Sequence, residues 1–121
     1  MRLEAVTVCV DYADFLAYSM PENLQFMDRL VVVTSYEDKV TQNLCRKFGV
    51  DCIETDIHKD HGNKFNKGRL INMGLSHLRH DGWVLHLDAD IVLPHKFRYM
   101  LHHAKLDPSK LYGADRLDTH S

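Results

Sequence analysis

The sequence predicts an α/β protein, a three-layer sandwich in which a mainly parallel sheet lies between layers of helix. Three observations support that reading. The run 5–10 is β-branched and apolar throughout, as a strand covered on both faces is, and further short strand-like runs lie at 30–33 and 83–87. Between them lie segments whose apolar residues recur at helical spacing. Strand and helix patterns alternate along the chain, which is the order that builds a parallel sheet.

The elements follow in turn. Ala-Val-Thr-Val-Cys-Val at 5–10 is the first strand, broken by Asp11-Tyr12-Ala13-Asp14. The segment 14–27, with Phe15, Leu16, Met20, Leu24 and Met27, is predicted helical, with Pro21 interrupting it. Leu30 to Val33 is the second strand, closed by Thr34-Ser35. Ser35 or Asp38 is placed to cap a helix carrying Val40, Leu44 and Phe48, and Gly49 fits just past its end. The third strand spans 50–55 and ends near Asp56.

A polar loop from His58 to Asn63 follows. From about Asn66, Leu70, Ile71, Gly74, Leu75 and Leu78 mark a helix. Asp81-Gly82 is a turn, and Trp83 to Leu87 is a fourth strand running into Asp88-Ala89-Asp90. Pro94 suits the first turn of a last helix, with Phe97, Met100, Leu101 and Ala104 on its apolar face. Leu111 to Ala114 is a possible start for a fifth strand.

At 121 residues the chain is expected to form one domain, spanning 1–121. A formal charge of −2 gives no electrostatic reason to expect nucleic acid as the partner. No apolar run approaches the roughly 20 residues that span a bilayer, and the N-terminus lacks signal-peptide character, so a cytoplasmic protein without a transmembrane segment is expected. Cys9, Cys45 and Cys52 are odd in number and without CxxC spacing. They read as reduced core thiols, with a disulfide framework or zinc site as the alternative.

Parallel sheets bind ligands beyond the carboxyl ends of their strands. The residues there are Asp11-Tyr12, Thr34-Ser35, Asp56 and Asp88-Ala89-Asp90. In an extended segment Asp88 and Asp90 point the same way and can converge on one ion. Hard cations such as Mg²⁺ and Mn²⁺ take one or two carboxylates together with phosphate and water. The competing reading makes both aspartates caps of the helix that follows. Lys67, in the first turn of its helix, can reach an anion that the helix terminus already favours, or it is a solvated surface lysine. His58, His61, His102 and His103 support a metal site poorly, and His86 reads as a hydrogen-bonded sheet histidine.

The run Trp83 to Pro94 resembles the DxD segment of glycosyltransferases with the GT-A fold. The stretch from Phe65 to Leu75 resembles the helix that precedes it, and Val6 to Asp14 the first strand with its nucleoside-contacting turn. The resemblance covers about 5–116. It implies a Rossmann-like fold, Mn²⁺ or Mg²⁺ held by Asp88 and Asp90, and a nucleoside diphosphate sugar as donor. It also implies nucleobase contacts from Asp11 and Tyr12, with Tyr12 stacking on the base or serving only as a surface tyrosine. Thr34 and Ser35 would contact the nucleoside at the end of strand two, where many relatives carry an aspartate. Lys67 and Asp88 would lie on the donor phosphates.

GT-A enzymes continue past this point into an acceptor-binding half. The expectation is therefore the donor half of a longer or partner-completed enzyme, with an unknown acceptor and no assignable catalytic base, or a binding module without turnover. An exposed sheet edge would favour a homo-oligomer. A nucleotidyltransferase would need a Gly-rich basic loop after strand one, where this chain has acidic Asp11-Tyr12-Ala13-Asp14. An interaction domain with purely structural aspartates is the remaining class.

Overall fold

The computed structural model describes residues 2–56, 67–107 and Lys110. The elements are β1 (Leu3–Val8), α1 (Ala13–Leu24), β2 (Arg29–Thr34), α2 (Lys39–Phe48), β3 (Asp51–Glu54), α3 (Lys67–Leu75), β4 (Trp83–His86) and α4 (Phe97–His103). The four strands form one sheet in the order β3-β2-β1-β4, and every pairing is parallel. The α/β fold is as the sequence predicts, and Val6 marks its centre, opposite Val31 on one side and His86 on the other.

The apolar runs are continuous because both sheet faces are covered. Ala5, Leu30 and Val32 point to one face and pack with Leu16 and Met20 of α1 and Cys45 of α2. Val6, Val8, Val31 and Val33 point to the other, against Leu70 of α3 and Leu78 just beyond it. Gly74 lets α3 approach closely, since a Cβ there would meet Val6 Cγ1 at 2.5 Å. Cys9 and Cys45 are buried, Cys52 is half-buried, and all three are free thiols.

Several local expectations shift. β1 starts at Leu3 rather than residue 5 and ends at Val8, though Cys9 N–H still donates to Val33 O at 2.9 Å. Pro21 does not break α1, which runs on to Leu24. Leu16 and Met20 are buried ahead of the proline and Asn23 after it, so packing holds the helix through the missing N–H. Asp38, rather than Ser35, caps α2 by accepting from Thr41 N–H, and Gly49 ends it at φ 67°. α3 stops at Leu75, and a turn carries the chain to Leu78.

Pro94 lies three residues ahead of α4 and accepts from Phe97 N–H at 3.0 Å. No residue of α4 is buried, so its apolar side does not enter the core. The loop 58–63, the capping position Asn66 and the fifth strand at 111–114 lie outside the described residues. Among the described residues no helix is long and apolar enough to cross a membrane.

Candidate functional site

β1 and β4 lie side by side, so their carboxyl ends open onto a common space. A cavity of about 400 Å³ lies there, within the size range of small-molecule sites. Val8 and Val10 contribute its apolar part, and Tyr12 and Phe15 an aromatic one. Lys67, Asp88, Ala89 and Asp90 supply the remainder. Four elements thus meet: the end of β1, the start of α1, Lys67 of α3 and the loop after β4.

The loop is fastened from below by α1. Buried Ser19 donates its hydroxyl to Ala89 O at 2.5 Å. Asn23 donates to Ile91 O at 2.8 Å and accepts from Leu93 N–H at 2.8 Å. Both side chains are 2% exposed, so these hydrogen bonds are shielded from water and fix the loop firmly. The sequence gives only a weak sign of this clamp, two polar residues on the inward face of an otherwise apolar helix.

Asp88 and Asp90 are not in extended backbone, as the alternation argument required. β4 ends at His86, and Ile91 N–H donates to Asp88 O at 3.1 Å, closing a turn over 88–91. The turn carries both aspartates to the same cavity by a different geometry. Ala89 lies between them, its side chain turned into the core beside Leu16 and Met20.

Lys67 Nζ lies 2.7 Å from Asp88 Oδ1, a charge-assisted hydrogen bond. Both side chains are about half exposed, 43% and 45%, so water screens the pair. His86 Nε2 lies 3.6 Å from the same oxygen. Among the described residues its strand is outermost in the sheet, and its side chain is about one-third exposed. Burial pushes the imidazole pKa down, Asp88 pulls it up and Lys67 pushes it down again, leaving it below the ordinary value.

Asp38 organises the neighbouring rim. Its carboxylate accepts from Asp11 N–H at 2.9 Å, Thr34 Oγ1 at 3.1 Å, Thr41 N–H at 3.1 Å and Thr41 Oγ1 at 2.6 Å. Burial works against its charge, but these hydrogen bonds outweigh burial and hold the carboxyl below its usual range. Asp11 adopts φ 62°, a left-handed conformation that aspartate tolerates better than most residues. The chain can therefore turn sharply and present Tyr12, whose carbonyl accepts from Phe15 and Leu16 to start α1.

The residues expected to bind donor divide accordingly. Tyr12, Lys67, Asp88 and Asp90 line one cavity. Asp11 is outside its lining and contributes through its backbone turn. Thr34 and Ser35 are buried, and the structure does not bring them to the cavity. The Thr34 hydroxyl is bound to Asp38, and Ser35 O accepts from Gln42 Nε2 at 2.9 Å.

Two residues were missed. Phe15 lies one turn from Tyr12, with ring centroids 6.0 Å apart, and extends the aromatic wall. Its signal is the three-residue spacing at a helix start. The sequence marks Asp38 as a capping candidate, while its bonds to Asp11 and Thr34 depend on the fold.

No family model matches the chain, and no curated protein matches it.

The residues of the cavity fit a hard divalent cation. Asp88 and Asp90 offer carboxylate oxygens, the donors that Mg²⁺ and Mn²⁺ prefer, beside a lysine suited to phosphate. Among the described residues no group of three or more His, Cys, Asp or Glu is arranged to hold an ion. An octahedral ion here would therefore take most of its ligands from phosphate and water.

Proposed function

We propose that this domain binds a nucleoside diphosphate sugar in the cavity at the ends of β1 and β4, as the donor site of a GT-A-type glycosyltransferase. The observation behind this reading is the meeting of two exposed aromatic residues, a lysine and two aspartates on one 400 Å³ cavity. Tyr12 and Phe15, 58% and 50% exposed, offer ring surface on which a nucleobase can stack. Lys67 and the amide groups of the first turn of α3 favour the diphosphate. Asp88 and Asp90 would hold Mn²⁺ or Mg²⁺, which would supply positive charge beside the diphosphate.

Transfer then consists of breaking the bond between the anomeric carbon and the diphosphate oxygen, the sugar passing to an acceptor or to water. Val8, Val10 and Ala89 form the apolar part of the cavity wall beside the charged groups. We place the protein in the cytoplasm, where free thiols such as Cys9, Cys45 and Cys52 persist.

The test is incubation with UDP- and GDP-sugars and Mn²⁺, following free sugar and nucleoside diphosphate. Release or transfer that disappears in Asp90→Ala supports the enzyme. Metal-dependent nucleotide binding without any release supports the non-catalytic module instead. Absence of both removes the donor-site reading.

A further inference from the structure

We propose that Lys67 occupies the cation position at Asp88 until a diphosphate draws it away, so that nucleotide and divalent ion enter the cavity together rather than singly. This rests on the donor-site reading and adds the order in which that site assembles. The starting observation is the 2.7 Å contact between Lys67 Nζ and Asp88 Oδ1, on a cavity that Asp90 also lines. An ammonium at that distance stands where a divalent ion would bind the same oxygen. Two cations cannot share the position, so an ion arriving alone must first displace the lysine.

The pair is suited to opening. Both partners are about half exposed, and a screened ion pair of this kind contributes little free energy. Lys67 opens the described part of α3, and its flexible four-carbon stem lets the ammonium move without disturbing the helix. A diphosphate beside that helix terminus offers the lysine a doubly charged alternative partner. The exchange takes the ammonium off Asp88 Oδ1 as it satisfies the phosphate, so each ligand removes an obstacle to the other. Linkage then requires that the ion raise nucleotide affinity by the same factor as the nucleotide raises ion affinity.

The experiment titrates Mn²⁺ into the wild type and Lys67→Met, with and without UDP, reading free Mn²⁺ by electron paramagnetic resonance. Lys67→Arg serves as the control that keeps the charge. Lys67→Met should bind Mn²⁺ alone about threefold more tightly than the wild type, the scale expected for removing a screened competitor. UDP should enhance Mn²⁺ binding less in Lys67→Met than in the wild type, and Lys67→Arg should follow the wild type. If UDP enhances Mn²⁺ binding in the wild type but Lys67→Met binds Mn²⁺ alone no better, the donor site stands and the lysine exchange is overturned. If none of the three proteins binds Mn²⁺ under either condition, the donor-site reading falls and the exchange with it.

Discussion

Asp38 and Asp88 occupy similar places in the fold, each beyond the carboxyl end of a parallel strand, yet their surroundings differ sharply. Asp38 is 7% exposed and accepts from two backbone N–H groups and two threonine hydroxyls. Asp88 is half exposed and meets a long, movable lysine across a cavity. The first arrangement satisfies its carboxylate with fixed donors of the same fold, leaving it little capacity for a ligand. The second holds its carboxylate with a partner that can exchange. Carboxylates at strand ends in a parallel sheet are thus not equivalent: one is buried among fixed donors, the other is half exposed beside a movable lysine.

The largest expected effect lies on the structural side. Asp38→Ala leaves Asp11 N–H, Thr41 N–H and the hydroxyls of Thr34 and Thr41 without their acceptor. We expect a loss of about 3 kcal/mol in urea unfolding, combining a lost cap with buried unsatisfied donors. A loss below about 1 kcal/mol would mean that the cluster is not the anchor its geometry suggests.

The same carboxylate gives a pH signature. Its pKa is lower in the folded state than its ordinary value, so the unfolded chain binds the proton more readily. Its stabilisation is therefore present above the ordinary aspartate range, near pH 4, and fades as pH falls through the folded value. Unfolding free energies of wild type and Asp38→Asn should differ most near neutrality and converge toward pH 3. A gap that stays constant across that range would contradict the charge-based account.

Asp88→Ala should be the mildest change to the fold. Removing one half of a screened pair is expected to alter stability by less than about 1 kcal/mol by the same urea measurement. A loss as large as that of Asp38→Ala would erase the distinction between the two carboxylates and recast Asp88 as structural.

Much of this was legible in the sequence. The doubly covered strands were visible as unbroken apolar runs, because burial on both faces leaves no position for polar alternation. The cap at Asp38 and the left-handed Gly49 followed from local chemistry. Elements decided by tertiary packing were less clear. Pro21 argued for a break in α1, but the helix is held by Ser19 and Asn23 binding a loop some 70 residues later in the chain. No local pattern contains that partner.

The sequence singled out Tyr12, Lys67, Asp88 and Asp90 from their positions after strands and at a helix start, and these four line one cavity. It gave the wrong geometry for the aspartates, since a turn closed by Ile91 N–H replaces the extended segment. It also placed Thr34 and Ser35 on the rim, whereas Asp38 draws the Thr34 hydroxyl inward and Gln42 ties down the Ser35 carbonyl. A hydroxyl at a strand end reads the same in sequence whether it faces a ligand or a neighbouring carboxylate. Only the fold distinguishes the two.

We propose that Asp88 and Asp90 bind a divalent cation together with a nucleoside diphosphate. Thermal melting tests it most directly, with UDP and GDP, with and without Mn²⁺, on the wild type and on the Asp88→Ala/Asp90→Ala double variant. Ligand at about 100 times its dissociation constant should add roughly 2.7 kcal/mol, a rise of roughly 10 °C for a domain of this size. The account predicts a rise that needs nucleotide and Mn²⁺ together and vanishes in the double variant. An unchanged melting temperature under every condition, or a rise that survives loss of both aspartates, would contradict it.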